Sequence, residues 1–583
     1  MNCDLVTQLN HLKRSSIDSV DNANFRKNND AYFHVRRPIE DELRELLREV
    51  NSSDKKRLVL LCGSAGDGKS HLLSYLWHSD ADNENLLADF DNIYNDASTS
   101  KKPELTAIET LAEELKEFDD EHYGDGDGYK MILAINLGTL SNFIESAFAS
   151  NYQQLKKYVE DQGIIAEYTS ENRFDPESVF QYISFSDYHI FALTKDGATY
   201  HYLDQLIDKI VSSDGENPFE KAYLKCESCP HKQCCPIKDN FSFLRDENCK
   251  RTIEYCLLEV EFKDKYILST RDILDFINRV IVPPDYQQVL DGMVSTDVNV
   301  QFASYVNSTL PSLLFEGDDS STIFAALIKN DPLKDRDISI DREAIRIHSI
   351  LDIKKEYLKI TEGTPYTDLE KLDHWDVIGE KDPLKQMVFN FMVRLHAIKG
   401  DQIRNNEKDS FKEYLKCIYY QNTHQDSELA QLYNITSKAV MLWNGKFKEN
   451  FLCIQNDDSP YWLLEHLKLK PVINISIAGA PQAETVRYSP VLKIALKEKN
   501  ASDSDAVELN MDYSLFLLVI KMGTGYYPTA HDRNLHADFD NFIKKLSESG
   551  DMGSIINIQD KDSDTNYIFE YDAFGKYTFK VDQ

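Results

Sequence analysis

Apolar positions along this chain follow two periodicities, and the balance between them shifts near residue 450. Before that point, compact apolar runs alternate with amphipathic stretches of helical spacing. Leu58-Val-Leu-Leu-Cys62 and the run at 129–135, which ends in Asn136-Leu-Gly138, have the length and composition of buried strands. Residues 36–50 place Ile39, Leu43, Leu46, Leu47 and Val50 on one stripe, with Pro38 near the start and acids in the first turn, which predicts a helix. Residues 103–118 do the same with Leu105, Ile108, Leu111, Leu115 and Phe118. Residues 91–98 predict a short strand with a polar end, 181–193 a strand or hairpin, and 253–281 and 385–448 helices. After 450, apolar runs at 472–476, 491–496 and 515–520 and a closing hairpin at 567–571 and 576–581 predict strands. The polar clusters 500–505 and 560–566 read as loops.

Strands alternating with helices predict an α/β parallel sheet whose carboxyl edge carries the chemistry. The expected organisation is an N-terminal arm at 1–35, loosely packed over its first 30 residues. An α/β domain follows at 36–290 with a cysteine-rich insertion at about 218–256, then a mostly helical lid or linker at 291–450. A strand-rich α+β domain at 451–583 completes the chain.

The sharpest chemical signal sits at the end of the first strand. Gly63-Ser64-Ala65-Gly66-Asp67-Gly68-Lys69-Ser70 is a complete G-x-x-x-x-G-K-S, followed by a helical stretch. Strand, glycine turn and helix in that order are what this loop requires. The glycines let successive N–H groups face a phosphate, and the helix begins with its positive end at the same place. Lys69 reaches the β- and γ-phosphates, and the Ser70 hydroxyl ligates Mg²⁺. The expected ligand is therefore ATP with Mg²⁺ on a P-loop NTPase of AAA-like (ASCE) type. By analogy with ring-forming ATPases the helix before the loop strand lies beside the base, an ordinary packing helix being the alternative.

Hydrolysis needs a carboxylate on the Mg²⁺ side and a polar group for the attacking water. No apolar strand here ends in Asp-Glu. Asn136 is the candidate polar sensor, its alternative role being to cap the next helix. Asp96, Asp91 and Asp187 are the candidate carboxylates. Arg271, behind the capping residues Ser269 and Thr270, is a candidate nucleotide-sensing arginine, as are Arg336 and Arg342.

Cys226-x-x-Cys229 and the adjacent Cys234-Cys235 form a second cluster. A C-x-x-C turn presents two thiolates along one tetrahedral edge. Zn²⁺ is the expected ion, held by Cys226, Cys229 and Cys235, with Cys234, His231 or Cys249 as fourth ligand. An Fe–S cluster and a set of reduced, metal-free thiols are the alternatives.

A formal charge of −33 opposes autonomous DNA binding, since DNA-gripping proteins show a basic footprint. No basic-apolar leader or bilayer-length apolar run occurs, so a cytoplasmic location away from membranes is expected.

With the P-loop, the Ile135-Asn136-Leu-Gly138 strand end, the Cys226-x-x-Cys229-Pro segment and Gly523-Thr-Gly-Tyr-Tyr-Pro528, the chain resembles the DptF (DndF) family. These are the ATPase components of phosphorothioation-dependent DNA restriction systems in bacteria. The resemblance runs over most of the chain and implies nucleotide-binding roles for Gly63, Gly66, Gly68, Lys69 and Ser70. It implies DptG-like and DptH-like partner subunits and action on DNA lacking backbone sulfur, with DNA contact made through the complex. It supplies no nuclease site, and no acidic constellation suited to two-metal cleavage is legible. A nucleotide-gated scaffold and a P-loop kinase are the competing functions, and a homo-oligomer is compatible with either.

Overall fold

The computed structural model describes residues 3–581 apart from 19–29, 79–83, 96, 98–103, 126–127, 166–173, 234, 294, 296, 318–320, 335–340, 343–344, 347–348, 350–352, 368–382, 401–404, 447, 455–458, 474–482, 550–554, 564 and 572–575. The chain forms two compact units. The first comprises 1–192 and 200–405, and the second 193–199 and 406–583. Residues 385–448, expected as one helical region, are thus divided between them.

The first unit is built on a parallel sheet of β1 (Arg57–Gly63), β2 (Asn92–Tyr94), β3 (Lys130–Asn136) and β4 (Phe180–Ser184), in the order β2-β3-β1-β4. Its register runs Leu58↔Met131 through Gly63↔Asn136 between β1 and β3, and Cys62↔Ser184 between β1 and β4. Every residue of β1 is buried, as a strand covered on both faces requires. Leu58, Leu60 and Cys62 share a core with Met131, Leu133 and Ile135. Leu111 of α4 (Ala107–Glu114), Leu140 and Phe143 of α5 (Leu137–Glu145) and Leu155 of α6 (Gln153–Asp161) complete that core. A Thr106–Glu109 capping box starts α4.

Around the sheet lie α1 (Asp4–Asp18), α2 (Pro38–Asn51) and α3 (Lys69–His78). Further along come α7 (His201–Val211), α8 (Pro218–Leu224), α9 (Pro236–Phe243), α10 (Glu247–Lys263) and α11 (Thr270–Ile281), and helices continue to residue 398. The amino terminus departs from the expected loose arm. Leu5, Val6, Leu9 and Leu12 of α1 are at most 1 % exposed, and Asn278 Nδ2 donates to Leu9 O at 2.9 Å. Their i, i+1, i+4, i+7 spacing buries one face against α11, so packing orders this segment.

The second unit is strand-rich. It holds a three-stranded antiparallel sheet and a five-stranded antiparallel one that ends in the expected hairpin, Asn566–Tyr571 with Tyr577–Val581. The run at 515–520 departs from expectation and lies within a helix, Tyr513–Gly523, capped by Asp512 accepting from Leu515 N at 2.9 Å. Tyr513, Leu515, Phe516, Leu518, Val519 and Met522 are all buried, and a helix apolar nearly all round cannot be told from a strand by period alone. The expected strand at 472–476 lies mostly outside the described residues. Among the described residues no helix is long and apolar enough to cross a membrane.

Candidate nucleotide site

The glycine-rich turn leaves β1 at Gly63 and enters α3 at Lys69. Gly66 and Gly68 have φ of +90° and +95°, a region L side chains avoid. Gly66 is doubly constrained, because a Cβ there would lie 2.9 Å from Arg271 Cβ and 3.0 Å from Ser269 Oγ. The loop therefore abuts the start of α11, where Arg271 N donates to Gly66 O at 3.4 Å. Ser269 caps that helix through a reciprocal box with Asp272.

Lys69 is buried and turned inward. Its Nζ donates to Gly63 O at 3.1 Å, Ser64 O at 2.7 Å and Asn136 Oδ1 at 3.1 Å. Asn136 stands directly beside Gly63 in the β1–β3 register. It occupies the N-cap of α5 with no side-chain cap bond, so its amide serves the lysine instead of the helix. The Ser70 hydroxyl donates to Asn95 O at 3.5 Å, at the end of β2. The Asp67 carboxylate accepts from Ser64 N within the loop, and burial raises its pKa while the nearby Lys69 charge acts in the other direction.

A cavity of about 320 Å³ opens over this loop. One end is polar, formed by residues 65–70 with Asn95 and Asn136. The other end is mostly apolar and is lined by Val35, Ile39, Leu206, Leu274 and the ring of Tyr202. At its margin His34 stacks on Tyr75, with centroids 3.4 Å apart and planes 9° apart, and pairs with Glu40 at 3.0 Å. Glu40 in turn accepts from the fully buried Arg44 at 2.8 Å. Burial, reinforced by His34, pulls the pKa of His71 down to about 4, so a neutral imidazole lines the wall.

Arg37 connects these parts. Its Nη1 donates to Asp67 O at 3.4 Å and its Nη2 to Tyr188 O at 3.0 Å, and the guanidinium lies 5.0 Å from the Tyr202 ring centroid. Arg37, His34, His71 and Tyr202 carry no recognisable sequence signal. Arg37 is simply the residue before Pro38.

Of the candidate acids, Asp91 accepts from Lys130 N at 2.9 Å, at the end of β3 opposite Asn136. Six residues of strand, about 20 Å, separate it from the loop, which removes it from the Mg²⁺ side. Asp187 follows β4 and acts electrostatically on Cys62, but does not line the cavity. Asp96 lies outside the described residues, although its neighbour Asn95 lines the cavity. Arg271 lines it as well, whereas Arg342 is exposed and Arg336 falls outside the described residues.

The cysteines are spread over two places. Cys226, Cys229 and Cys235 sit in the turn after α8 and at the N-cap of α9. Cys249 is buried in α10, where it acts electrostatically on Tyr366. His231 is partly exposed, and Cys234 lies outside the described residues. Among the described residues no group of three or more His, Cys, Asp or Glu side chains is placed to hold a metal ion.

Comparison with family models, characterised proteins and solved structures finds no match for this chain.

Proposed function

We propose that the protein binds and hydrolyses ATP, and that it serves as the energy-coupling switch or motor of a bacterial DNA restriction complex. The observation that carries the nucleotide reading is the seat of Lys69, shared between the loop carbonyls and Asn136 at the adjacent strand end. An incoming β- or γ-phosphate replaces the two carbonyls as partner of the ammonium, while Asn136 keeps it aimed at the same place. The apolar end of the cavity suits a base, and helix α3 directs its positive end toward the phosphates. β3 lying between β1 and β2 is consistent with the AAA-like (ASCE) type.

Mg²⁺ would be held by the Ser70 hydroxyl and would supply charge neutralisation at the triphosphate. Asn136 stands where it can orient a water against the γ-phosphate. Arg37 and Arg271 add fixed positive charge on the cavity wall, which favours the charge developing in phosphoryl transfer.

The restriction role rests on the family resemblance, and the charge of −33 supports leaving DNA contact to basic DptG-like and DptH-like partners. One observation favours a second reading, a scaffold that holds ATP without turnover. The carboxylates lining the cavity among the described residues are Asp67 and Glu40, and each is engaged within the protein. Hydrolysis measured alone and with duplex DNA plus the partner subunits, against Lys69→Ala, tests both. Turnover that rises in the full mixture and disappears in the mutant supports the motor. Tight binding with no turnover in any mixture overturns it in favour of the scaffold.

A further inference from the structure

The cysteine-rich turn has a neighbour from the far end of the sequence. α1 begins at Asp4, whose carboxylate pairs with Lys225 Nζ at 2.9 Å, one residue before Cys226. The helix packs against α8 and the turn Lys225–Ser228, so Cys3, the residue preceding it, is delivered to the same place. The turn itself is closed by Cys229 N donating to Cys226 O at 3.0 Å, and Lys232 N donates to Cys229 O at 3.2 Å. Cys235 enters from the other side as the N-cap of α9, and Cys226 and Cys235 are both buried. Burial drives the Cys226 and Cys235 thiols up to about 12, and each also feels Cys3 electrostatically. Cys226 further feels Cys229, and Cys235 feels Cys226. Cys3 is thus a common neighbour of both buried thiols.

We propose that Cys3, Cys226, Cys229 and Cys235 bind one zinc ion, with Cys3 as the fourth ligand in place of Cys234, His231 or Cys249. Four thiolates in a closed tetrahedral set are the donor chemistry of a structural zinc. The four thiols are not gathered as they stand, so binding includes a local rearrangement of the turn and of the start of α1. Binding displaces the thiol protons, up to four per ion, and involves no change of oxidation state. Because α1 packs along α11, the ion fixes the outer end of a helix that supports the wall of the nucleotide site.

The test needs no variant at first. The purified full chain is analysed for metal content, then alkylated under native conditions before and after chelation, and each cysteine is read by mass spectrometry. About one zinc per chain is expected, with Cys3, Cys226, Cys229 and Cys235 protected together and exposed together when the ion is removed. Cys3→Ser then weakens retention by more than the roughly 100-fold typical of losing an outer-shell partner, while Cys249→Ser retains the metal. A chain free of metal overturns the site, as does a coloured iron–sulfur chromophore. Cys3 alkylated as readily with the ion in place as without it overturns its assignment.

Discussion

On the proposed nucleotide reading, the phosphate and base ends of the cavity are made in different ways. The phosphate end is built mainly on one continuous stretch, residues 65–70 of the glycine turn, with Asn95 and Asn136 beside it, and its expected donors are backbone N–H groups. The base end is assembled from side chains of three separate segments, with Val35 and Ile39 around the start of α2, Leu206 in α7 and Leu274 in α11. A local motif of the first kind is specified by sequence order, because neighbouring residues build the site. A site of the second kind is specified by tertiary packing, so its residues look like any other core positions. The two ends should therefore fail differently when altered.

The largest effect is expected at the phosphate end. Lys69→Ala removes the cation and leaves three acceptors, Gly63 O, Ser64 O and Asn136 Oδ1, without it. Turnover should fall by about 10³ or more, since losing one preorganised donor already costs about 10²–10³. Asn136→Ala should come next, with kcat down by about 10² while ATP affinity changes only a few fold. An equal loss in affinity and kcat would make Asn136 a binding residue rather than a water-orienting one.

Leu274→Trp breaks the comparison from the other side. Filling the apolar end should weaken ATP by about tenfold and leave inorganic tripolyphosphate binding unchanged, as calorimetry can read. If both ligands weaken together, the two ends are not separable. A smaller change of opposite sign is expected from Asp67→Asn. The amide oxygen can still accept from Ser64 N, while a negative charge near the triphosphate is gone. ATP should bind about fivefold tighter, roughly 1 kcal/mol.

The base end also has a pH signature. The folded-state pKa of His71 is lowered to about 4, below its ordinary value of 6.5, so the unfolded chain binds this proton more readily. The associated stability is complete above pH 6.5 and declines as pH falls toward 4. His71→Gln should flatten the upper part of that decline, between about pH 6.5 and 5, in denaturant titrations.

What could be read in advance follows the same division. β1, β3, α2 and the glycine turn announce themselves because burial period, length and punctuation agree over short stretches. Asn136 was legible as a strand-end residue, but its choice between helix cap and lysine partner depended on the β1–β3 register. Arg37 gave no signal, since its partners Asp67 and Tyr188 are 30 and 151 residues away. In two places the signal was present and outweighed. Asp512 before an apolar run marks a helix start, yet the unbroken hydrophobicity of 515–520 reads as strand. Leu5, Val6, Leu9 and Leu12 form a stripe, yet the polar residues between them read as an unpacked arm.

The close approach of Gly66 to Arg271 seats the glycine turn directly on the first turn of α11. The first residues of α11, a rod of twelve residues about 18 Å long, lie directly against the turn. At the rod's far end the carbonyl of Ile281 accepts from Asn240 Nδ2 at 3.0 Å, on the helix that Cys235 caps. One helix thus joins the glycine turn to a distant point of the same unit, beside the cysteine-rich segment.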